Sequence, residues 1–133
     1  MMKILKYILL LIVAVSTISF AAFQPDIYDE ISDAIKNGED KEIAKFFDNN
    51  VNITILGQED IYSKAQAELL LQNFFSKNTP RTFSLVHEGG PESAGKFVIG
   101  SLTTTDGKKY RVTIHIKKAG SDSVVQELRI ESE

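Results

Sequence analysis

The sequence predicts an α+β domain in which helices pack on one face of a curved antiparallel sheet, preceded by a signal peptide. Apolar residues recur every three or four positions in the first half of the chain and every second position in the second half. These are the periods of helices and strands. Helices followed by a run of strands are best packed as helices covering one face of an antiparallel sheet.

The first 21 residues have the three-part layout of a secretory signal peptide. Two lysines give a positive start, residues 7–18 are almost wholly apolar, and Ser19 and Ala21 are small residues suited to signal peptidase. Retention as a membrane anchor is the alternative, but the apolar run is shorter than the ~20 residues that span a bilayer. We expect cleavage near Ala21, which leaves one domain over residues 22–133, periplasmic or secreted and without a membrane span.

The mature domain is expected to be small, acidic and free of cysteine. About 110 residues can enclose one hydrophobic core but not two. Without cysteine the domain has neither disulfides nor a lipidated cysteine, so packing alone must stabilise it. Cleavage would remove two lysines and leave 13 basic against 18 acidic residues. Such a surface lacks the basic footprint of a nucleic-acid-binding protein.

Two short helices are predicted at the start of this domain. The first begins at Asp26 or the proline before it, follows an apolar stripe through residues 27–35, and ends at Gly38, where a C-cap glycine belongs. The second begins at Asp40, includes Phe47 in its apolar stripe, and ends at a pair of asparagines.

A hairpin and a long helix are predicted next. Residues 51–55 alternate as a half-buried strand does, Gly57 turns the chain, and residues 61–62 form a short return strand. Ser63 and Gln66 have the spacing of a capping box, which starts a helix. Its wide apolar face consists of Ala67, Leu70, Leu71, Phe74 and Phe75.

The remainder of the chain predicts an antiparallel meander of four strands. The strands are expected at residues 82–88, 97–105, 110–118 and 124–131. Asp106 and Gly107 are a strong hairpin turn between the second and third of them. Residues 89–95 and 119–123 are predicted to be loops.

Four stretches carry a resemblance to known proteins: residues 51–56 (VNITIL), 62–67 (YSKAQA), 100–104 (GSLTT) and 126–130 (QELRI). With the element order, they resemble the nuclear transport factor 2-like (SnoaL-like) cone. More narrowly, the whole mature chain is similar to a family of small exported proteins of unknown function from the Bacteroidota. The resemblance implies a pocket between the helices and the concave face of the sheet, and no particular activity.

Strand alternation selects the side chains that such a pocket would contain. Alternate residues of the third meander strand, beginning at Tyr110, are apolar and are predicted to face the helices. The predicted pocket residues are Phe74, Phe75, Phe97, Ile99, Tyr110, Val112 and Ile114. Because ligand pockets are mostly apolar, the first hypothesis is a non-catalytic domain that binds a small apolar ligand or a protein partner. A purely structural interaction module with a filled cone is a further alternative.

An enzyme of the isomerase or hydratase type is the rival hypothesis. Asp60 and Tyr62 point the same way in an extended segment and match, in residue type, the base and oxyanion donor of such enzymes. His87 is predicted to share a face with Phe83 and Leu85, where it could act as a base near neutral pH. The structural alternatives are a turn residue for Asp60, a rim aromatic for Tyr62 and a solvated rim histidine for His87. Two histidines without cysteine predict no metal site, and no cofactor is expected.

The opposite face of the third meander strand carries Arg111, Thr113, His115 and Lys117. This face is predicted either to pair with a second copy in a two-fold homodimer or to be solvated. Ser123 lies in a three-residue pattern that resembles the O-glycosylation signal of exported Bacteroidota proteins, and is a candidate for that modification.

Overall fold

The computed structural model describes residues 3–4, 26–90, 95–120 and 122–133, so the predicted signal peptide lies almost entirely outside the described residues. The elements after Asp26 are α1 (Ile27–Lys36), α2 (Asp40–Ala44), β1 (Phe47–Ile55), β2 (Gln58–Ser63), α3 (Lys64–Lys77), β3 (Pro80–Gly89), β4 (Lys96–Thr104), β5 (Lys109–Ala119) and β6 (Asp122–Ser132). This order confirms the predicted α+β class. Within the described ranges, no helix is both long and apolar enough to cross a membrane.

The strands form one six-stranded sheet in the order β2-β1-β6-β5-β4-β3. The hairpin and the four-stranded meander are antiparallel, as predicted. The pairing of β1 with β6 is parallel, with Ile53 opposite Leu128, and it joins the hairpin to the meander. Register shifts within β3 and between β5 and β6 mark bulges, which bend strands and increase the sheet's twist.

The three helices cover the concave face of this sheet and enclose the core. Ala67, Leu71, Phe74 and Phe75 of α3 are buried, as predicted from their helical spacing. On the sheet, alternate residues of β5 and β6 meet them. The buried apolar strand residues are Phe47, Val51, Ile53, Val98, Leu102, Tyr110, Val112, Ile114, Ile116, Val125, Leu128 and Ile130.

The ends of α1 and α3 match the capping signals in the sequence. The Asp26 carboxylate accepts a hydrogen bond from the backbone N–H of Tyr28 at 3.4 Å. Ser63 and Gln66 form both bonds of a capping box at the start of α3. Gly38 follows α1 with a φ of +66°, a left-handed conformation that glycine adopts without strain.

The predicted extent of α2 is wrong at both ends. Glu39 is its N-cap and makes no side-chain capping bond, while Asp40 is already helical. The helix ends at Ala44, and Phe47 opens β1 rather than extending the helical stripe. The reason is tertiary, because the Phe46 carbonyl accepts a hydrogen bond from the N–H of Val125 in β6 at 2.6 Å.

The predicted loop at residues 119–123 is also shorter than expected. β5 continues to Ala119 and β6 begins at Asp122, so residues 120 and 121 alone separate the two strands. Gly120 has a φ of +67°, which suits a tight turn. Ser123 therefore lies within a strand, paired with Lys118, and not in a loop.

Candidate functional site

The prediction that Phe97 and Ile99 face the concave pocket is wrong. In antiparallel sheets, directly opposed residues share a face. Phe97 lies opposite His115, and Ile99 lies opposite Thr113, so both lie on the convex side. Three consecutive apolar residues follow Lys96 in β4, and this run hides the phase of its alternation. Leu102, fully buried against the helices, sets the phase.

The five other predicted pocket residues lie on the concave side, but they fill it. Phe74, Phe75, Tyr110, Val112 and Ile114 are all buried. The Phe74 ring meets the rings of Phe75 and Tyr110 edge to face, with centroids 5.7 and 5.3 Å away. The Tyr110 hydroxyl donates to the Asn78 side-chain carbonyl at 2.8 Å. The aromatic side chains thus pack against one another where the resemblance implies a pocket.

His87 also lies on a different face from the one predicted. A register shift between Leu85 and His87 leaves Val86 unpaired, so the alternation of β3 reverses at this point. Leu85 lies opposite Gly100 on the concave side, whereas His87 lies opposite Ile99 on the convex side. A bulge produces no signal in hydrophobic periodicity, so the sequence could not reveal the reversal.

Asp60 and Tyr62 do point to the same side of β2, as expected from their spacing. Asp60 is exposed, and its carboxylate accepts the adjacent Ile61 N–H at 2.8 Å. Tyr62 is half-buried and packs against the core. β2 and β3 are the two edges of the sheet, so the structure does not bring Asp60 or Tyr62 together with His87.

We call the convex side of the sheet the outer face. It is crossed by continuous rows of side chains, one from each strand. One row contains Ile61, Asn52, Glu127, His115, Phe97 and Gly89, and the next contains Glu59, Thr54, Arg129, Thr113, Ile99 and His87. The predicted residues Arg111, Thr113, His115 and Lys117 all lie on this face.

Aromatic and aliphatic side chains are exposed on the outer face between its polar residues. Phe97 stacks on the His115 ring at 4.3 Å with the ring planes 10° apart, yet 44% of Phe97 remains exposed. Ile61, in the edge strand β2, is 67% exposed. A shallow cleft of about 300 Å³ lies beside His115. The face therefore combines exposed apolar area with hydrogen-bonding groups, as interaction surfaces do.

Charged groups occupy the two central strands of the outer face. Arg111 on β5 lies opposite Glu131 on β6, and His115 lies opposite Glu127. Arg129 lies between the two glutamates and forms ion pairs with them at 3.9 and 3.3 Å. The β5 column of this face is thus cationic, and the β6 column is mainly anionic.

Among the residues that the structure describes, no group of three or more His, Cys, Asp or Glu side chains could hold a metal ion. In the β4–β5 turn, a hydrogen bond from the Thr104 hydroxyl lowers the pKa of the exposed Asp106 carboxyl. This turn residue is not near Asp60, Tyr62 or His87 in the sheet.

Comparison with known proteins agrees with this architecture. A family model described as Domain of unknown function (DUF4783) matches residues 28–131. A DUF4783 family protein from Bacteroides ovatus ATCC 8483 is 31% identical, covers 78% of this chain and 93% of its own, and superposes with a TM-score of 0.73. A DUF4783 family protein from Bacteroides fragilis YCH46 is 28% identical, covers 81% of this chain and 100% of its own, and has a TM-score of 0.75.

More distant structures share the fold alone. A de novo designed protein with a curved β-sheet is 11% identical, with 79% of this chain and 95% of that chain covered and a TM-score of 0.65. Two structures with the names Rd1NTF2_05 and Rd1NTF2_04, which are 11% and 14% identical, superpose with TM-scores of 0.64 and 0.62. No curated protein matches the chain significantly. The similarities confirm both the family resemblance and the cone fold expected from the element order.

Proposed function

The chain belongs to DUF4783, a family of unknown function, and from its geometry we propose that it is a non-catalytic interaction domain that pairs with a second copy through the outer face. The observation that carries the proposal is the composition of that face. Phe97 and Ile99 are apolar residues of β4 that lie there rather than in the core. Apolar groups surrounded by a polar rim are typical of protein–protein interfaces.

The filled cone supports a role for the outer face over a role for the interior. Phe74 contacts Phe75 and Tyr110, and all three side chains are buried. These contacts use the apolar surface that a ligand inside the cone would need. The enzyme hypothesis has less support still. Asp60 and His87 lie on opposite edges and opposite faces of the sheet, and a base needs an orienting partner within reach.

Charge favours a second copy as the partner. β6 and β5 are the third and fourth strands of six, so they lie at the middle of the outer face. A two-fold axis parallel to the strands and between these two would stack β5 of each copy over β6 of the other. Arg111 would then face Glu131 of the partner subunit, because the two residues are at the same level in the sheet. A two-fold contact of this kind is self-complementary.

The same arrangement suits the apolar residues. It stacks β4 over β1 of the second copy, so Phe97 lies above Asn52 and Ile99 above Thr54. Stacked sheets lie about 10 Å apart, a distance that long side chains can bridge. Aligned sheets cross at about 30°, so the match is best near the axis, where Arg111 and Glu131 lie.

Charge reversal tests this proposal directly. In a dimer of the Arg111→Glu variant, the new glutamate of each copy would face Glu131 of the partner subunit. In a dimer of the Glu131→Arg variant, the new arginine of each copy would face Arg111 of the partner subunit. Because like charges then meet, each variant should raise the dimer Kd roughly a hundredfold. An equimolar mixture of the two variants should restore a dimer. At positions 111 and 131, one copy then has two glutamates and the other has two arginines. Sedimentation equilibrium measures each Kd, and native mass spectrometry identifies the mixed dimer.

The control is Leu69→Glu, which adds a charge to a helix residue that is 63% exposed and lies away from the outer face. It should leave the Kd unchanged. A monomeric wild-type protein, or two single variants that dimerise as well as the wild type, would refute the pairing. Unchanged circular dichroism spectra separate lost pairing from lost folding.

A further inference from the structure

A groove on the helix side of the molecule, away from the outer face, has the features of a ligand site. One wall is a stripe of α3, formed by Leu70, Asn73, Phe74 and Lys77. The other is the β1–β2 turn with its flanking residues Ile55, Leu56 and Gln58, and Asn78 closes one end. The volume is about 340 Å³, within the range of small-molecule sites.

The floor of the groove is apolar and held in place by the core. Phe74 is 5% exposed, and its ring is fixed by edge contacts with Phe75 and Tyr110. Asn78 accepts from the Tyr110 hydroxyl and donates to the Phe74 carbonyl at 3.1 Å. Leu70 is half-buried beside them. The floor of the groove is therefore ordered by the core, and binding would need little reordering of it.

Leu56 at the rim is in an unfavourable backbone conformation. Its φ is +51°, and Gly57 follows with +87°, so both central positions of the β1–β2 turn are left-handed. Turns of this kind favour Asn-Gly, because side chains other than Asn and Asp are strained there. The Leu56 side chain is also 51% exposed, so burial in the core does not offset this strain. Strained residues are concentrated at functional sites, and a rim leucine would contact a molecule in the groove.

Lys77 is the single ionisable residue among those that line the groove. Within the described ranges it has no acidic partner within 4 Å. An apolar slot with one cation at its end matches a molecule with a hydrocarbon body and one negative head. We propose that this groove binds a small amphipathic carboxylate of the straight-chain fatty-acid type, with its chain along Leu70 and Phe74 and its head at Lys77.

This site is independent of pairing through the outer face, and the two can fail separately. Isothermal titration calorimetry with decanoate measures the affinity of the groove. Decanol and decyltrimethylammonium have the same chain with a neutral and a cationic head. We expect decanoate to bind more tightly than both, by about threefold or more, the size of one exposed ion pair.

Two variants make the test specific. Lys77→Met keeps the length of the side chain and removes its charge, and should abolish the preference for decanoate over decanol. Leu56→Asn creates the favoured Asn-Gly turn, so it should raise the Tm while it weakens decanoate binding about tenfold through lost apolar contact. Leu69→Asn, an exposed leucine of the same helix outside the groove, should leave the affinity unchanged.

Absence of heat with decanoate, or equal affinity for decyltrimethylammonium, would overturn the proposal. So would full decanoate affinity in Leu56→Asn, because the rim leucine would then contact nothing. A variant that binds weakly but also melts earlier than the wild type would contradict the expected gain in stability and count against the role given to the strained turn.

Discussion

At the scale of single residues, the positions that matter most are those where strand alternation is ambiguous or interrupted. The run from Phe97 to Ile99 is apolar throughout, so alternation alone does not show which of its residues face the helices. Gly100 resolves the question in the structure, because the Phe83 ring packs directly over it on the concave side. A glycine within a strand often marks such a close approach.

Gly100→Ala should therefore be costly although the backbone there is unstrained. An added Cβ would lie 2.2 Å from one carbon of the Phe83 ring and 2.5 Å from another. Displacing a packed ring costs about 1–3 kcal/mol in the free energy of unfolding, which urea denaturation measures. The matched control is Gly89→Ala, whose Cβ would meet the mobile end of the His87 side chain at 3.3 Å.

Pairing this change with Phe83→Leu shows whether the ring is the cause. In the leucine background, Gly100→Ala should cost clearly less than in the wild type, since the two sites share one contact. An equal cost in both backgrounds would show that the strand tolerates no side chain at position 100 for some other reason.

At the scale of elements, local signals define the ends of α1 and α3 well, and the ends of α2 and of the strands less well. The capping box at Ser63 and Gln66 starts α3 at the predicted place. By contrast, β1 begins four residues before the alternating segment at residues 51–55, because Phe47 pairs with β6. Helix caps bond to neighbours in sequence, whereas strand ends bond to distant strands.

Ser63→Ala should destabilise the domain by about 1 kcal/mol, because the Gln66 backbone N–H loses its acceptor. Thermal and urea unfolding measure the change. Ser76→Ala is the matched control near the other end of α3, where the hydroxyl donates to the Asn73 carbonyl and caps no N-terminal N–H. If both alanines have the same effect, the capping box contributes nothing beyond helix propensity.

At the scale of the whole molecule, the sheet unites the two halves of the chain. The parallel pairing of β1 with β6 joins the N-terminal hairpin to the last strand, and the helices cover the surface that results. This closure places the groove and the outer face on opposite sides of one sheet. Because the chain has no cysteine, the packing of this core must hold the domain together.

Export remains a prediction at this scale. Expression in a Gram-negative host should yield a processed protein that begins at Ala22, since cleavage is expected near Ala21. Intact-mass measurement of periplasmic and cytoplasmic fractions tests this. Replacing Ala21 with Gln, which is too large for the cleavage site, should cause the precursor to accumulate. A full-length wild-type protein held in the membrane would support the anchor alternative instead.

The sequence by itself determined the element order, the caps of α1 and α3, the hairpin turn at Asp106 and Gly107, and the two faces of β5. Each of these depends on interactions between residues close in the chain, or on an alternation with clear contrast between faces. Only the tertiary structure decided the face of β4, the reversal in β3 at Val86 and the filling of the cone. These depend on register and packing between distant segments, which hydrophobic periodicity does not encode.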